Sequence, residues 1–274
     1  MVVLTASLAA LALASGLAAG CGGGETDATA GLSPTQILER SRRAAEATGS
    51  YVVTIEGSST AALRAGARPG GLAALLAGPV RLSGEGRIRR GAMALDAEMT
   101  AGGLPVQASL TLIDDGLYLS LLGRSFRLQT PPGRVAAIEP ARLASALLGW
   151  VASPREVTRE KVDGTRTVHL RGEVDPAALG DIGGIVALLT GHEGGRATAK
   201  LRAGTIDVWV GTADLLPRRV RVSLVASGID PLPAVRRLTL DATVGFRDYG
   251  AEVRIEAPAG AQPVRPEDLG ALAR

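Results

Sequence analysis

Histidines are the side chains of this sequence that could most readily act as a base or bind a metal ion. The two histidines, His169 and His192, stand far apart in the chain. His169 falls on the polar face of a predicted strand and His192 lies in a glycine-rich stretch, so we expect both to be solvated. The GHEGG stretch at residues 191–195 lacks the second histidine that a zinc-binding helix needs. We therefore expect no metal site.

Two further motifs fall short of a catalytic site. Asp114 and Asp115 form a possible carboxylate pair, but they sit in a predicted turn, where aspartate serves the backbone. The glycines of GEGRIRRG, residues 84–91, lie between strands and begin no helix, unlike those of a dinucleotide-binding loop. The sequence also lacks the Gly-x-Ser-x-Gly motif of a nucleophile elbow. These patterns predict a protein that is not an enzyme and needs no cofactor.

Cys21 is the single cysteine of the chain and follows an apolar segment without charged residues. Its context, Leu17-Ala18-Ala19-Gly20-Cys21, resembles a bacterial lipobox, because small residues suit a signal peptidase and leave the thiol open to acylation. We predict that residues 1–20 are a lipoprotein signal peptide and that Cys21 carries the lipid anchor. Two or more acyl chains hold a protein firmly on a membrane. Ala18 replaces the usual leucine and no basic residue precedes the segment, which leaves an uncleaved span or a buried thiol as the alternative.

The rest of the chain is long enough for one large domain with a substantial core. Residues 21–32 are mainly small or acidic and predict a flexible tether. The net charge of +3 favours an anionic membrane surface only weakly and excludes a strongly basic nucleic-acid-binding protein. Aromatic residues make up only 3% of the chain, which argues against sugar platforms and base-stacking surfaces.

Hydrophobic periodicity predicts helices and strands in an α+β order. An amphipathic helix with a capping box begins after Ser33, a second helix spans 139–151, and a third, weakened by glycines, begins at Asp175. Turns at Asp115-Gly116 and Asp163-Gly164 predict two hairpins. The predicted strands are 51–56, 80–89, 92–100, 104–113, 117–122, 155–162, 165–174, 204–210, 218–226, 237–245 and 251–257.

Alternation along these strands predicts one aliphatic face and one polar face of a large antiparallel sheet, because side chains two apart share a face. The three helices must cover the aliphatic face, and the third offers few large side chains. Such sparse cover is compatible with an apolar cavity or with an ordinary close-packed core. The predicted aliphatic face includes Met93, Leu95, Ala97, Met99, Val106, Ala108, Leu110 and Leu112. We expect one domain over residues 33–260, followed by a tail at 261–274.

Five segments that span most of the predicted domain read PTQILERSRRAAEATGSYVVTIEG, VQASLTLIDDGLYLSLL, VDGTRTVHLRGEVDP, IDVWVGTADLLPRRVRV and LTLDATVGFRDYGAEVRIEAPA. Together these segments resemble the LppX/LprG lipoproteins of actinobacteria. Related carriers such as LolA and RseB share a similar plan.

The resemblance implies a half-barrel, a highly curved antiparallel sheet whose concave face and covering helices enclose acyl chains of a lipid or glycolipid. It implies a carrier on the outer face of the plasma membrane, with an envelope transporter or acceptor as a possible partner. The expected lipid-binding residues are Met93, Leu95, Met99, Val106, Leu110, Leu112, Leu143 and Leu147. A lipid-responsive sensor that binds a partner protein, and a structural lipoprotein without ligand, remain the competing functions.

Overall fold

The structure is a computed structural model and describes residues 26–66, 78–101, 103–121, 123–129, 139–176, 200–228 and 234–265. Cys21, the predicted signal peptide, His192 and most of the predicted third helix lie outside these ranges. The helices of the described part are α1 (Pro34–Ala47), a 3-10 turn (Pro140–Arg142) and α2 (Leu143–Gly149). The strands are β1 (Ser50–Leu63), β2 (Pro79–Arg89), β3 (Ala92–Ala101), β4 (Leu104–Ile113), β5 (Gly116–Leu121), β6 (Arg124–Leu128), β7 (Val151–Val162), β8 (Thr165–Val174), β9 (Lys200–Gly211), β10 (Pro217–Ser227), β11 (Val235–Arg247) and β12 (Gln262–Val264).

Helix α1 begins at the predicted capping box. Ser33 Oγ accepts a hydrogen bond from the amide of Gln36 at 3.3 Å, and Gln36 Oε1 accepts one from the amide of Ser33 at 2.9 Å. One side of the helix buries Ile37, Leu38 and Ala45 against the sheet and α2. None of the helices in the described ranges is long and apolar enough to cross a membrane.

The twelve strands form one open sheet in the order β12-β6-β5-β4-β3-β2-β1-β11-β10-β9-β8-β7. Every neighbouring pair is antiparallel except β12 and β6, which are parallel. The two ends of this order do not pair with each other, so the sheet stays unclosed. The predicted fold class, a large curved antiparallel sheet with few helices, is confirmed.

Helices α1 and α2 cover one face of this sheet, which we call the inner face. The largest buried cluster of the described residues lies there. It includes Val168 on β8, Ile206 and Val208 on β9, and Val220 on β10, each fully buried. Burying an aliphatic side chain of this size stabilises the fold by about 1.5 to 3 kcal/mol. The inner face beneath the helices is therefore a filled core.

Tyr51 joins the start of β1 to the segment that precedes α2. Its hydroxyl donates to the carbonyls of Pro140 and Ala141, at 3.0 and 3.2 Å, and accepts from the amide of Ala144 at 3.4 Å. Burial raises the pKa of Tyr51 to about 12. Because the phenol stays neutral, its hydroxyl can donate to the two carbonyls and also accept from the amide. Tyr51 therefore fixes the position of α2 on the sheet.

Glycine permits close strand contact where the inner face turns from β1 to β3. A Cβ on Gly86 would lie 2.9 Å from Val53 Cγ2 and 3.3 Å from Leu95 Cδ1. A Cβ on Gly84 would lie 2.6 Å from the carbonyl oxygen of Asp96. Because Gly86 has no side chain, Val53 on β1 and Leu95 on β3 can pack closely against β2.

Several predicted boundaries need correction. Strands β6 and β12 were not expected, and β12 lies inside the predicted tail. The helix predicted over 139–151 ends at Gly149, and Val151 already belongs to β7. The strand predicted over 251–257 does not form. A strand directly after β11 would pair with β11 as a hairpin. Both sides of β11 are already paired, with β1 and with β10, so this pairing cannot form.

The last part of the predicted tether lies against the domain. The amide of Ala28 donates to the carbonyl of Thr212 at 2.7 Å, and Thr29 is fully buried. Asp27 forms an ion pair with Arg159 on β7. Contacts with the domain thus extend at least as far as Asp27 on the N-terminal side of α1, and β12 ends at Val264.

Candidate functional site

The six predicted lipid-binding residues of β3 and β4 lie side by side on the inner face. Directly opposite residues of an antiparallel pair share a face, so the register decides which side chains meet. The structure therefore brings together the six strand residues named from the sequence. Met93 is opposite Leu112, Leu95 is opposite Leu110, and Met99 is opposite Val106.

Of these six residues, Leu112 is buried and the other five are half-buried. At the end nearest the β4–β5 turn, Leu112 is 2% exposed and packs with Leu117 and Leu128 in a closed cluster. Met93 and Leu110 are half-buried at the edge of that cluster. Leu95, Met99 and Val106, further along, are also half-buried. The predicted set thus divides into a packed end, with Leu112, and a more accessible end.

The accessible end continues onto the neighbouring strands. Leu82 on β2, which is 36% exposed, is opposite Met99, and Leu119 on β5 is opposite Leu110. Leu121 is opposite Ala108. We call this set of inner-face side chains the apolar strip. It consists of Leu82, Leu95, Met99, Val106, Leu110, Leu119 and Leu121.

Three members of the apolar strip were missed among the expected site residues. Leu119 and Leu121 belong to the predicted strand over 117–122, and their alternation with Tyr118 and Ser120 was a usable signal. Leu82 alternates with polar and glycine residues, so its face becomes evident only from its pairing with Met99.

The two predicted helix residues contribute to the core. Leu147 on α2 is 5% exposed and belongs to the main cluster, and Leu143 is half-buried against the same cluster. Their side chains are already in contact with protein, as is Leu112 on β4. Leu143 and Leu147 belong to the filled core beneath the helices, while the apolar strip holds the more accessible apolar surface.

The outer face of the same strands is polar. Ser109 Oγ donates to Asp96 Oδ1 at 2.7 Å across the β3–β4 pair, and Glu98 is opposite Gln107. This contrast between faces is the predicted one. It makes the inner face the apolar side of the hairpin.

The expectation of a solvated His169 is wrong. His169 is 7% exposed, and its Nε2 lies 2.6 Å from Asp207 Oδ1. Arg171 Nε donates to the same oxygen at 2.7 Å. The ring of Trp209 stacks on the imidazole at 4.3 Å between centroids, and its Nε1 donates to Glu160 Oε1 at 2.7 Å. We call these five residues the outer-face cluster.

The outer-face cluster is a structural network of paired polar groups. Hydrogen bonds and ion pairs join its imidazole, its carboxylates and its guanidinium to one another, and none of those made within the described part of the chain involves a serine or cysteine nucleophile. Nor do the described ranges contain a group of three His, Cys, Asp or Glu side chains that could hold a metal ion. Trp209 covers His169 from solvent, which explains the burial of a residue on the polar face.

An open cleft of about 640 Å³ lies between α1, α2 and the start of β7. Leu38, Leu148 and Val151 give it apolar walls, whereas Arg42 and Arg43 add charge. Glu39 and Glu46 lie in the same walls, so the charges are mixed. The cleft is separate from the apolar strip.

The class of fold is an open, almost wholly antiparallel sheet with helices on one face. No protein-family model matches the sequence, and no curated protein matches it significantly. Among solved structures, the chain is similar to LprF from Mycobacterium bovis, with 19% identity and a TM-score of 0.48 over 83% of this chain and 100% of that chain.

The Mycobacterium tuberculosis lipoprotein LppX is similar at 13% identity and a TM-score of 0.45, over 80% of this chain and 96% of that chain. A LolA superfamily protein from Nitrosomonas europaea follows, with 11% identity and a TM-score of 0.27, over 82% of this chain and 96% of that chain. The predicted resemblance to LppX/LprG proteins is thereby confirmed at the level of the fold. Because these TM-scores are below 0.5, the similar structures do not indicate what this chain binds.

Proposed function

We propose that this chain is an exported, membrane-anchored lipoprotein that holds acyl chains of a lipid or glycolipid against the apolar strip. In this role it carries the lipid within the cell envelope and performs no chemistry on it. The observation that supports the proposal is the change in burial along the inner face. Leu112 lies in packed core, whereas Met99 and Val106 on the same face are half-buried. The side chains are aliphatic in both places.

The physical basis is the transfer of methylene groups from water to an aliphatic surface. Each methylene that leaves water contributes about 0.8 kcal/mol, so an acyl chain gains affinity from contact length alone. The apolar strip crosses four adjacent strands, β2 to β5. At about 4.8 Å per strand, this is roughly 14 Å of continuous apolar surface. A long hydrocarbon chain can follow such a surface.

Cys21 supplies the proposed membrane anchor. Its small neighbours on the N-terminal side and the glycines that follow suit cleavage and acylation. The anchor would place the domain on the outer face of the plasma membrane, with a lipid in the bilayer as its source. An envelope transporter or acceptor would then receive the lipid.

The test of the proposed function is mass spectrometry of the full chain under native conditions. The protein is purified from its host in detergent, which is then removed on adsorbent beads, and organic extraction identifies the bound lipid. Leu110→Trp places an indole in the apolar strip and should abolish the co-purified lipid. Thr111→Trp, one residue along on the outer face, is the matched control and should retain it.

Circular dichroism of both variants separates a blocked site from a misfolded chain. A stoichiometric lipid that a folded Leu110→Trp variant loses supports the proposal. If the wild-type chain carries no lipid and binds none that is added, the chain is a structural or partner-binding lipoprotein instead. A bound lipid that does not exchange between vesicles identifies a sensor in place of a carrier.

A further inference from the structure

A single charged side chain lies on the inner face of strands β1 to β6 within the described residues. Arg124 begins β6 directly opposite Leu121, so it shares the face of the apolar strip. The other inner-face positions of these strands are occupied by aliphatic, aromatic, glycine or serine residues. A charge at the border of such a surface calls for a physical explanation.

The guanidinium of Arg124 has a neutral partner and an aromatic support. Its Nη2 donates to Gln262 Oε1 on β12 at 3.2 Å, and its Cζ lies 5.2 Å from the centre of the Phe126 ring. Phe126 is only 4% exposed, so the guanidinium rests on a buried ring. No carboxylate of the described residues lies within 4 Å of Arg124. Within the described ranges, its charge is therefore oriented by Gln262 and Phe126 and has no carboxylate beside it.

The position of Arg124 matches the shape of an amphiphile. Leu121, Ala108 and Ala97 follow it on successive strands, and Leu110 and Leu119 lie one inner-face row further along. Leu95 on β3 is three strands away, roughly 14 Å at the spacing of paired strands. One end of the apolar surface thus carries a fixed cation, while the remainder accepts hydrocarbon.

We infer that the apolar strip and Arg124 together select an amphiphile with one anionic headgroup, a phosphate or a carboxylate. The inference rests on the proposed function, because the acyl chain must first bind to the strip. Arginine is suited to this role, since its planar donors bind phosphate and carboxylate oxygens in pairs. The amide of Gln262 holds the guanidinium at the strip and leaves its other donors free for the headgroup.

The test compares two monomeric probes with the same acyl chain. Palmitoyl-lysophosphatidylglycerol carries a phosphate, and monopalmitoylglycerol is neutral. Binding of each to the full chain, freed of detergent on adsorbent beads, is measured by calorimetry below the micelle concentrations of the probes. The wild-type chain should prefer the anionic probe, and Arg124→Gln should weaken that probe about tenfold, as expected for loss of a charge-assisted hydrogen bond.

Arg127→Gln is the matched control, because Arg127 lies three residues away on the outer face of β6. It should bind both probes as the wild type does, and neither variant should change the affinity for monopalmitoylglycerol. The inference would be overturned if the wild type bound both probes equally, or if Arg124→Gln and Arg127→Gln lost the same affinity for the anionic probe. Either result would leave the lipid-binding proposal intact.

Two further outcomes separate the possible failures. If neither probe binds the wild-type chain, the proposed function itself fails. If inorganic phosphate displaces the anionic probe at equal concentration, Arg124 binds free phosphate and the headgroup assignment is wrong. The expected result is that inorganic phosphate competes poorly, since it has no acyl chain to place on the strip.

Discussion

Arg159 Nη1 on the edge strand β7 lies 2.7 Å from Asp27 Oδ2, which ties the predicted membrane tether to the domain. Six residue steps separate Asp27 from Cys21, a span of at most roughly 21 Å. An anchor at Cys21 would therefore hold this corner of the domain close to the bilayer. The docking point lies beside Thr212, at the packed end of the strands, whereas the apolar strip lies towards their other end.

Asp27→Ala should release residues 26–32 from the domain. The carboxylate accepts hydrogen bonds from the amide of Thr29 at 2.8 Å and its hydroxyl at 2.5 Å, in addition to the Arg159 ion pair. Amide hydrogen exchange in a peptide covering this segment should become faster, while global stability falls by no more than about 1 kcal/mol, because the ion pair is partly exposed. Arg42→Ala, which removes an exposed ion pair on α1, should leave that exchange unchanged. Unaltered exchange in Asp27→Ala would show that Thr29 burial alone holds the segment.

The same contact should be sensitive to acid. The hydrogen bond from the Thr29 hydroxyl, with further help from its amide and from Arg159, holds the pKa of Asp27 below its ordinary value of 3.8. A carboxyl with a lowered folded-state pKa stabilises the docked state fully above the ordinary value and loses that contribution as pH falls through the lowered one. Cleavage of the segment by an acid-active protease should therefore increase only below pH 3.8. In Asp27→Asn this pH-dependent increase should disappear, and its persistence would assign the effect to another group.

His169→Ala should destabilise the fold although His169 lies on the polar face. The change removes the stacked partner of Trp209 and leaves Asp207, a buried carboxylate, with Arg171 alone. We expect a loss of about 1 to 3 kcal/mol in urea unfolding, the usual effect of leaving a buried polar group with fewer partners. Thr158→Ala, which alters the exposed residue paired with His169 on β7, should stay within about 0.5 kcal/mol of the wild type. Equal midpoints for the two variants would contradict a structural role for the outer-face cluster.

Local chemistry explains why the hairpins and the apolar face could be predicted. Asp163 and Gly164 both adopt left-handed backbone angles, with φ of 49° and 82°, as a two-residue hairpin turn requires. Alternation at Met93, Leu95 and Met99 fixes which side chains share a face before any partner strand is known. These features depend on residues that are close in sequence.

The errors arise where distant segments meet. The burial of His169 depends on Trp209, which reaches it through the β8–β9 register across a long connection. β6 is short and carries two arginines, so its strand pattern is weak, and β12 forms only because β6 offers a free edge. Alternation likewise predicts that Leu112 faces inward, but only the packing of Leu117 and Leu128 shows that it is fully covered.

Two serines of the α1 region should change stability in opposite directions. Ser41 is fully buried, and its hydroxyl has no hydrogen-bond partner among the described residues, so Ser41→Ala removes an unsatisfied polar group and improves helix propensity. We expect a gain of about 0.5 to 1 kcal/mol. Ser33→Ala removes the N-cap hydrogen bond to Gln36 and should cost about 1 kcal/mol. Thermal and urea unfolding of both variants measure the difference, and a loss of stability in Ser41→Ala would show that its hydroxyl makes a contact in solution.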